Sequence, residues 1–194
     1  MVAHHRGFTL IEALIAMVVL GFLMTAALPM YTQWNQNLQI RTAADSIINA
    51  LQSARNEAVR LNQPVRFDLT EVGGTAWRVC PWDVANNDCV VGANKQLRDS
   101  TEGGQNAKVG GTSIPAVAAA YATPLNPGDG LPAGVTFNAM GRSGNPGLDL
   151  LRIDVRNPLL SAADERRLVI LLSVGGQIRM CDPQHNRASN AQGC

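Results

Sequence analysis

The feature that most constrains this 194-residue chain is an apolar run that carries a single carboxylate near one end. From Ala13 to Met24 no side chain is polar, and the run continues to Leu28 with only Thr25 in the way. Phe8 to Met30 supplies 23 residues, and roughly 20 apolar residues suffice for a helix to span a bilayer. Glu12 lies inside that span, although an acidic group costs about 2.5 to 3.5 kcal/mol at mid-membrane. His4, His5 and Arg6 precede the run, so a short cationic stretch leads into an apolar one, as in an export signal. A cleavable signal peptide would be cut near Thr25-Ala26-Ala27, and a plain anchor would stay in place. Neither gives Glu12 a partner.

The residues Arg6-Gly7-Phe8-Thr9-Leu10-Ile11-Glu12-Ala13 resemble the class III leader junction of type IV pilins and type II secretion pseudopilins. In that family a prepilin peptidase cuts after the glycine, and the new terminal phenylalanine is N-methylated. The resemblance implies that Gly7 ends the leader, Phe8 becomes the mature N-terminus, and Glu12 is the fifth mature residue. Cleavage there leaves an amine four residues from Glu12, about one helical turn away. In an assembled filament the resemblance implies that Glu12 meets the Phe8 amine of a neighbouring subunit. Two opposite charges in an apolar setting compensate each other, and removing one strands its partner at a cost of several kcal/mol. The same helix then serves the bilayer before assembly and the filament core afterwards. Near its end, Pro29 lacks an N–H and crowds the preceding turn, which kinks a helix that continues through it.

From Tyr31 to Leu61 there is no Pro or Gly. Ala44, Ile47, Ile48, Leu51, Ala54, Ala58 and Leu61 recur at spacings of three and four, marking one apolar helix face. Asp45, Asn49, Gln52, Arg55, Asn56 and Arg60 mark the other, and Asn62 before Pro64 is a stop signal. A helix over 8–61 would span about 80 Å.

After Pro64 the period becomes two. Val65, Phe67 and Leu69 alternate with Arg66 and Asp68, and Trp77 and Val79 flank Arg78. Val135 and Phe137 follow, then Leu151, Ile153 and Val155, the run Leu168–Leu172, and Ile178 with Met180. Gly175-Gly176 reads as a two-residue hairpin turn. Between 99 and 133 the composition shifts to Gly, Ala, Thr, Asn and Pro, and reads as a long exposed loop or insertion. One long helix followed by short strands predicts an α+β fold, with an antiparallel sheet wrapped on the helix. The organisation is a leader over 1–7, an apolar helix over 8–30, its amphipathic half over 31–62, and a β-rich domain over 63–194. That architecture is also the type IV pilin-like fold the resemblance implies.

All four cysteines lie beyond residue 79, on the side of the apolar helix that export sends to a disulfide-permissive compartment. Four cysteines allow three pairings. The local one, Cys80 with Cys89 and Cys181 with Cys194, closes loops of eight and twelve residues and is the expected choice. Each bond would add on the order of 3 kcal/mol. A cross-pairing such as Cys80 with Cys181 is the competing arrangement. No CxxC spacing occurs, and His185 is the one histidine after the leader, so no zinc site is expected.

Catalytic patterns are weak. Gly141-Arg142-Ser143-Gly144 approaches a nucleophile elbow, but Asn145 stands where that motif needs glycine. There is no Walker-type phosphate loop or dinucleotide-binding glycine fingerprint. Asp164-Glu165-Arg166-Arg167 reads as a solvated turn before a strand. No cofactor and no enzymatic activity are expected.

A narrower resemblance joins Trp77-Arg78-Val79-Cys80 and Gly175-Gly176-Gln177-Ile178-Arg179-Met180-Cys181 to FimU/FimT-type minor pilins and H-type pseudopilins. FimT-like proteins of some competent bacteria bind DNA through a Gly-Arg-x-Arg element. Here it reads Gly176-Gln177-Ile178-Arg179, so only Arg179 carries over, with Arg142 and Arg187 as nearby candidates. Lys plus Arg number 16 against 15 acids, and loss of the leader removes Arg6, leaving no net charge. Phosphate binding needs clustered cations, and Arg166-Arg167 is the one adjacent basic pair after the leader.

The resemblance therefore implies a structural subunit, a minor pilin at the tip or initiation complex of a type IV pilus. Its partners would be prepilin peptidase, other minor and major pilins or pseudopilins, and the inner membrane before assembly. An H-type pseudopilin of type II secretion and a DNA-capturing pilin are the alternatives. The location implied is single-pass in the inner membrane with a periplasmic domain, then an assembled pilus at the cell surface. N-terminal sequencing of protein from cells holding the peptidase should begin at Phe8; a start near Ala27 would mean an ordinary secreted domain.

Overall fold

The computed structural model describes residues 9–93, 95–114, 121–145 and 147–194. They fall into two compact units divided after Asn35. Helix α1 (Leu10–Leu61) begins in the first unit and ends in the second. It stops where Asn62 takes a left-handed φ of 53° and the Gln63 N–H reaches back to the Ala58 carbonyl at 3.3 Å. That closure satisfies a terminal carbonyl, and Pro64 prevents any continuation.

In the second unit α1 buries Ile40, Ala43, Ala44, Ile47, Ala50, Leu51, Ala54 and Ala58. Five of these are alanine, whose short side chain lets a helix backbone approach a sheet closely. Among the described residues nine strands follow: β1 (Val65–Leu69), β2 (Trp77–Asp83), β3 (Asp88–Cys89), β4 (Gln96–Arg98), β5 (Lys108–Thr112), β6 (Ala133–Phe137), β7 (Arg152–Arg156), β8 (Leu168–Leu172) and β9 (Ile178–Cys181). All pair antiparallel.

They form two sheets, where a single one was expected. The first has the order β3-β2-β1-β6, with β4 also on β2, and the second the order β5-β7-β8-β9. Val65, Phe67, Leu69, Val79, Val135 and Phe137 from the first join Val109, Ile153, Val155 and Ile170 from the second in one cluster with the helix face. The two-residue alternation thus places the apolar sets on the helix side of both sheets.

Three further expectations are corrected. The stretch 99–133 is not one long loop, because β5 lies inside it and pairs with β7 from Lys108↔Arg156 to Thr112↔Arg152. Its Gly110-Gly111 centre hides the strand from propensity, yet the glycine is needed: a Cβ on Gly110 would lie 2.3 Å from the Asn126 carbonyl oxygen. The β8–β9 connection has five residues, 173–177, not two. Ser173 N–H bonds the Gln177 carbonyl at 3.0 Å, and Gly176, at φ 80°, closes a turn onto Ser173 at 2.8 Å.

Asp164-Glu165-Arg166-Arg167 is not a solvated turn. Glu165 and Arg167 are buried while their neighbours are exposed. Glu165 accepts the Asn157 N–H at 2.6 Å and faces the Arg156 guanidinium at 3.3 Å. Arg167 reaches the Asp154 carboxylate and the carbonyl oxygens of Tyr121 and Ala122. Asp154, wholly buried, also receives Arg152 at 2.6 Å and the Leu125 N–H at 3.1 Å. The polar face of β7 is therefore roofed by the segment 121–125 and held by one carboxylate between two guanidiniums.

Removing that carboxylate strands two buried cations. Asp154→Asn should destabilise the full-length protein in detergent by about 3 to 5 kcal/mol in urea unfolding. Arg60→Ala, which breaks only the exposed Arg60–Glu57 pair, should leave the urea midpoint almost unchanged.

Candidate assembly site and surface arginines

Helix α1 starts on a cap written in the sequence. The Thr9 hydroxyl oxygen accepts the Glu12 backbone N–H at 3.3 Å, and the Thr9 carbonyl accepts the Ala13 N–H at 3.1 Å. Thr9 is thus the N-cap, and Glu12 stands three residues on, in the first turn, where a carboxylate complements the positive end of the helix dipole. Thr-x-x-Glu is the capping-box spacing; that signal was available in the sequence, and the reading of Glu12 as a charge partner passed over it. Gly7 and Phe8 lie outside the described residues.

Beyond the cap, the apolar side chains of the first unit have nowhere within the described residues to go. Leu10 is 81% exposed, Met17 73%, Phe22 80% and Met30 74%, and the intervening leucines, isoleucines and valines are exposed as well. A stable chain does not leave such a surface to water, because each large apolar side chain gains roughly 1.5 to 3 kcal/mol on burial. Pro29 lies inside the helix, which runs on through it. It withholds the N–H that Thr25 would have received. The Thr25 and Thr32 hydroxyls donate to the carbonyls of Phe22 and Pro29, each at 2.8 Å, on either side.

In the second unit, disulfides join Cys80 to Cys89 and Cys181 to Cys194. Cys80 and Cys89 pack with Trp82 on the outer face of the first sheet, where the Arg66 guanidinium lies 4.7 Å from the indole centroid. In the loop they close, Asp83 accepts the backbone N–H groups of Ala85 and Asn86 and the Asn86 side-chain amide. The Asn86 amide foremost holds the Asp83 carboxyl below the usual carboxylate range.

The three arginines considered for DNA have different local surroundings. Arg179 donates to the Gly193 carbonyl, so its side chain ties β9 to the segment before Cys194. Arg187 is exposed, with its backbone packed against Gly193: a Cβ there would lie 2.7 Å from the Arg187 nitrogen. Arg142, also exposed, follows Gly141, whose carbonyl meets the β8–β9 hairpin at Gly176. There the Arg55 guanidinium donates to the Gly141 carbonyl at 3.1 Å, and the Ser143 N–H donates to the Val174 carbonyl at 3.1 Å. Arg55 had been placed only on the polar helix face; its role appears once the β8–β9 hairpin folds back onto α1. Among the described residues no group of three or more His, Cys, Asp or Glu side chains is arranged to hold a metal ion.

Residues 3–28 match the prokaryotic N-terminal methylation motif. Together with a long helix on two antiparallel sheets, that motif defines a subunit of the type IV pilin and pseudopilin class. Residues 43–176 match the family described as Type II transport protein GspH, and the chain belongs to that family. Two crystal structures of the type IV minor pilin FimU of Pseudomonas aeruginosa strain PAO1 are similar to it, at 16% and 17% identity. Each similarity covers 75% of this chain, and 90% and 94% of those chains, with TM-scores of 0.47 and 0.45. No curated protein matches the sequence.

Glu12→Ala removes a carboxylate from an otherwise apolar span. Membrane insertion should persist, because the substitution lowers the cost of entering lipid. Recovery of the variant in sheared filaments or in cross-linked subunit complexes should fall at least tenfold; unchanged recovery would show that the carboxylate has no role between subunits.

Proposed function

We propose that this chain is a minor pilin, cut after Gly7, anchored through α1 in the inner membrane and then built into a type IV pilus at its tip or initiation complex. The observation that carries this reading is the exposed apolar stretch Leu10–Met30 with Glu12 in its first turn. One surface must satisfy lipid at one time and sibling helices at another, and a single acid sets register by meeting a freed amine. A subunit of this kind works by packing.

The H-type pseudopilin of type II secretion is a second reading, favoured by the family match over 43–176. The two readings differ in the neighbours of α1, not in its physics. Quantitative mass spectrometry of sheared surface filaments and of secretion-machinery complexes separates them. Enrichment with surface pili supports the pilus subunit; enrichment with secretion pseudopilins overturns it in favour of the second.

DNA capture has the least support. Arg179 is already committed to Gly193, and the mature chain carries no net charge. The full-length protein in detergent should leave a DNA duplex unshifted at low salt, the condition that most favours phosphate contacts. A salt-sensitive shift lost in Arg142→Gln and Arg187→Gln would establish the DNA-binding reading instead.

A further inference from the structure

The Cys181–Cys194 disulfide closes one wall of a cavity of about 260 Å³ in the second unit. Its floor is apolar, made by Leu168, Met180 and Cys181, and its rim carries Arg41 from α1 and Arg166 from the approach to β8. The walls are braced by side-chain and backbone hydrogen bonds. Asn37 donates its side-chain amide to the Asp164 carbonyl at 2.9 Å and accepts the Arg166 backbone N–H at 2.8 Å. The Gln184 amide donates to the Glu165 carbonyl at 3.0 Å, and Asp182 N–H bonds the Gln192 carbonyl at 2.7 Å.

The charges at the rim are unevenly matched. Arg41 has only a long, exposed contact with Asp45 at 3.7 Å. The Arg166 side chain has no hydrogen bond or ion pair among the described residues, and its backbone is pinned by Asn37. The one carboxylate in the lining, Asp182, already accepts the Gln184 N–H at 2.8 Å and lies 3.8 Å from the His185 imidazole. A guanidinium fork matches a carboxylate in shape and charge. A dianion such as phosphate would meet the Asp182 charge at closer cost than a single carboxylate would. The apolar floor requires that the anion arrive next to an apolar group.

We propose that this pocket docks one carboxylate, presented beside an apolar side chain, from a neighbouring pilin-type subunit. Arg41 and Arg166 would bind the carboxylate, and Leu168 and Met180 would receive the apolar group. The identity of the occupant rests on the assembly reading above, whereas the ligand chemistry does not, so the two are tested separately.

For the chemistry, the full-length protein in detergent with labelled methyl groups is titrated with N-acetyl-leucine, with its amide, and with inorganic phosphate. The Leu168 and Met180 signals should move with N-acetyl-leucine, the apparent Kd rising at least fivefold in Arg41→Gln/Arg166→Gln. An equal response to the amide, stronger binding of phosphate, or indifference to both substitutions would overturn the assignment. For the occupant, Arg166→Lys places an amine in the pocket that a carbodiimide can join to a carboxylate, forming an amide with loss of water. Cross-linking in cells should give a product from position 166 to an Asp or Glu of a second chain bearing an N-terminal methylation motif. Products only to Asp164, Asp182 or Asp45 of the same chain, while α1 still cross-links to neighbouring subunits, would sink the docking role and leave the assembly reading intact. Absence of every interchain product would sink the assembly reading itself.

Discussion

The globular part of this protein depends on how closely one helix face can lie against two sheets. Ala43, Ala44, Ala50, Ala54 and Ala58 keep the approach short, while Ile40, Ile47 and Leu51 fill the space that remains. Phe67 and Phe137 from one sheet and Ile153 and Ile170 from the other complete the same cluster. Neither sheet has a second helix to lean on among the described residues, so each borrows its core from α1. A larger side chain at any of these alanines would push sheet and helix apart, and close-packed interiors relax poorly around such insertions.

The outer faces of the sheets are held by different means. On the second sheet a buried carboxylate, Asp154, gathers Arg152 and Arg167, and their remaining N–H groups bind carbonyls of Tyr121, Ala122 and Thr123. On the first, Asp149 is buried, accepts the Ser143 hydroxyl at 2.5 Å and the Thr136 and Asn145 N–H groups at 3.0 Å, and lies 3.9 Å from Arg66. Among the described residues no buried side-chain polar atom lacks a partner. Charge is tolerated inside this unit because each buried acid is saturated with donors, the condition under which burial of an ion does not unfold a protein.

Much of this was legible from residue order. The helix, its stop at Asn62, and the strands β1, β2, β6, β7, β8 and β9 follow from hydrophobic period and turn chemistry. Three strands were not. β3 and β4 are too short for a period to show, and β5 is built on Gly110 and Gly111, which carry no apolar signal; the Asn126 carbonyl passes over Gly110 and the Leu150 side chain over Gly111. The exposed apolar stretch Leu10–Met30 was legible almost entirely, because an unbroken apolar run acts locally. The hydrogen bond from Arg179 to Gly193 was not, since it exists only when β9 and the segment before Cys194 meet.

By itself the sequence determined an apolar helix that must find its surroundings outside its own chain, and an amphipathic continuation that must find them inside. Both follow from composition and period along one element, where neighbours in space are neighbours in sequence. The tertiary structure decided that there are two sheets, which polar residues are buried, and that Arg41 and Arg166 share one cavity rim. Those outcomes depend on contacts between separate elements, and periodicity says which face is apolar without saying what covers the other.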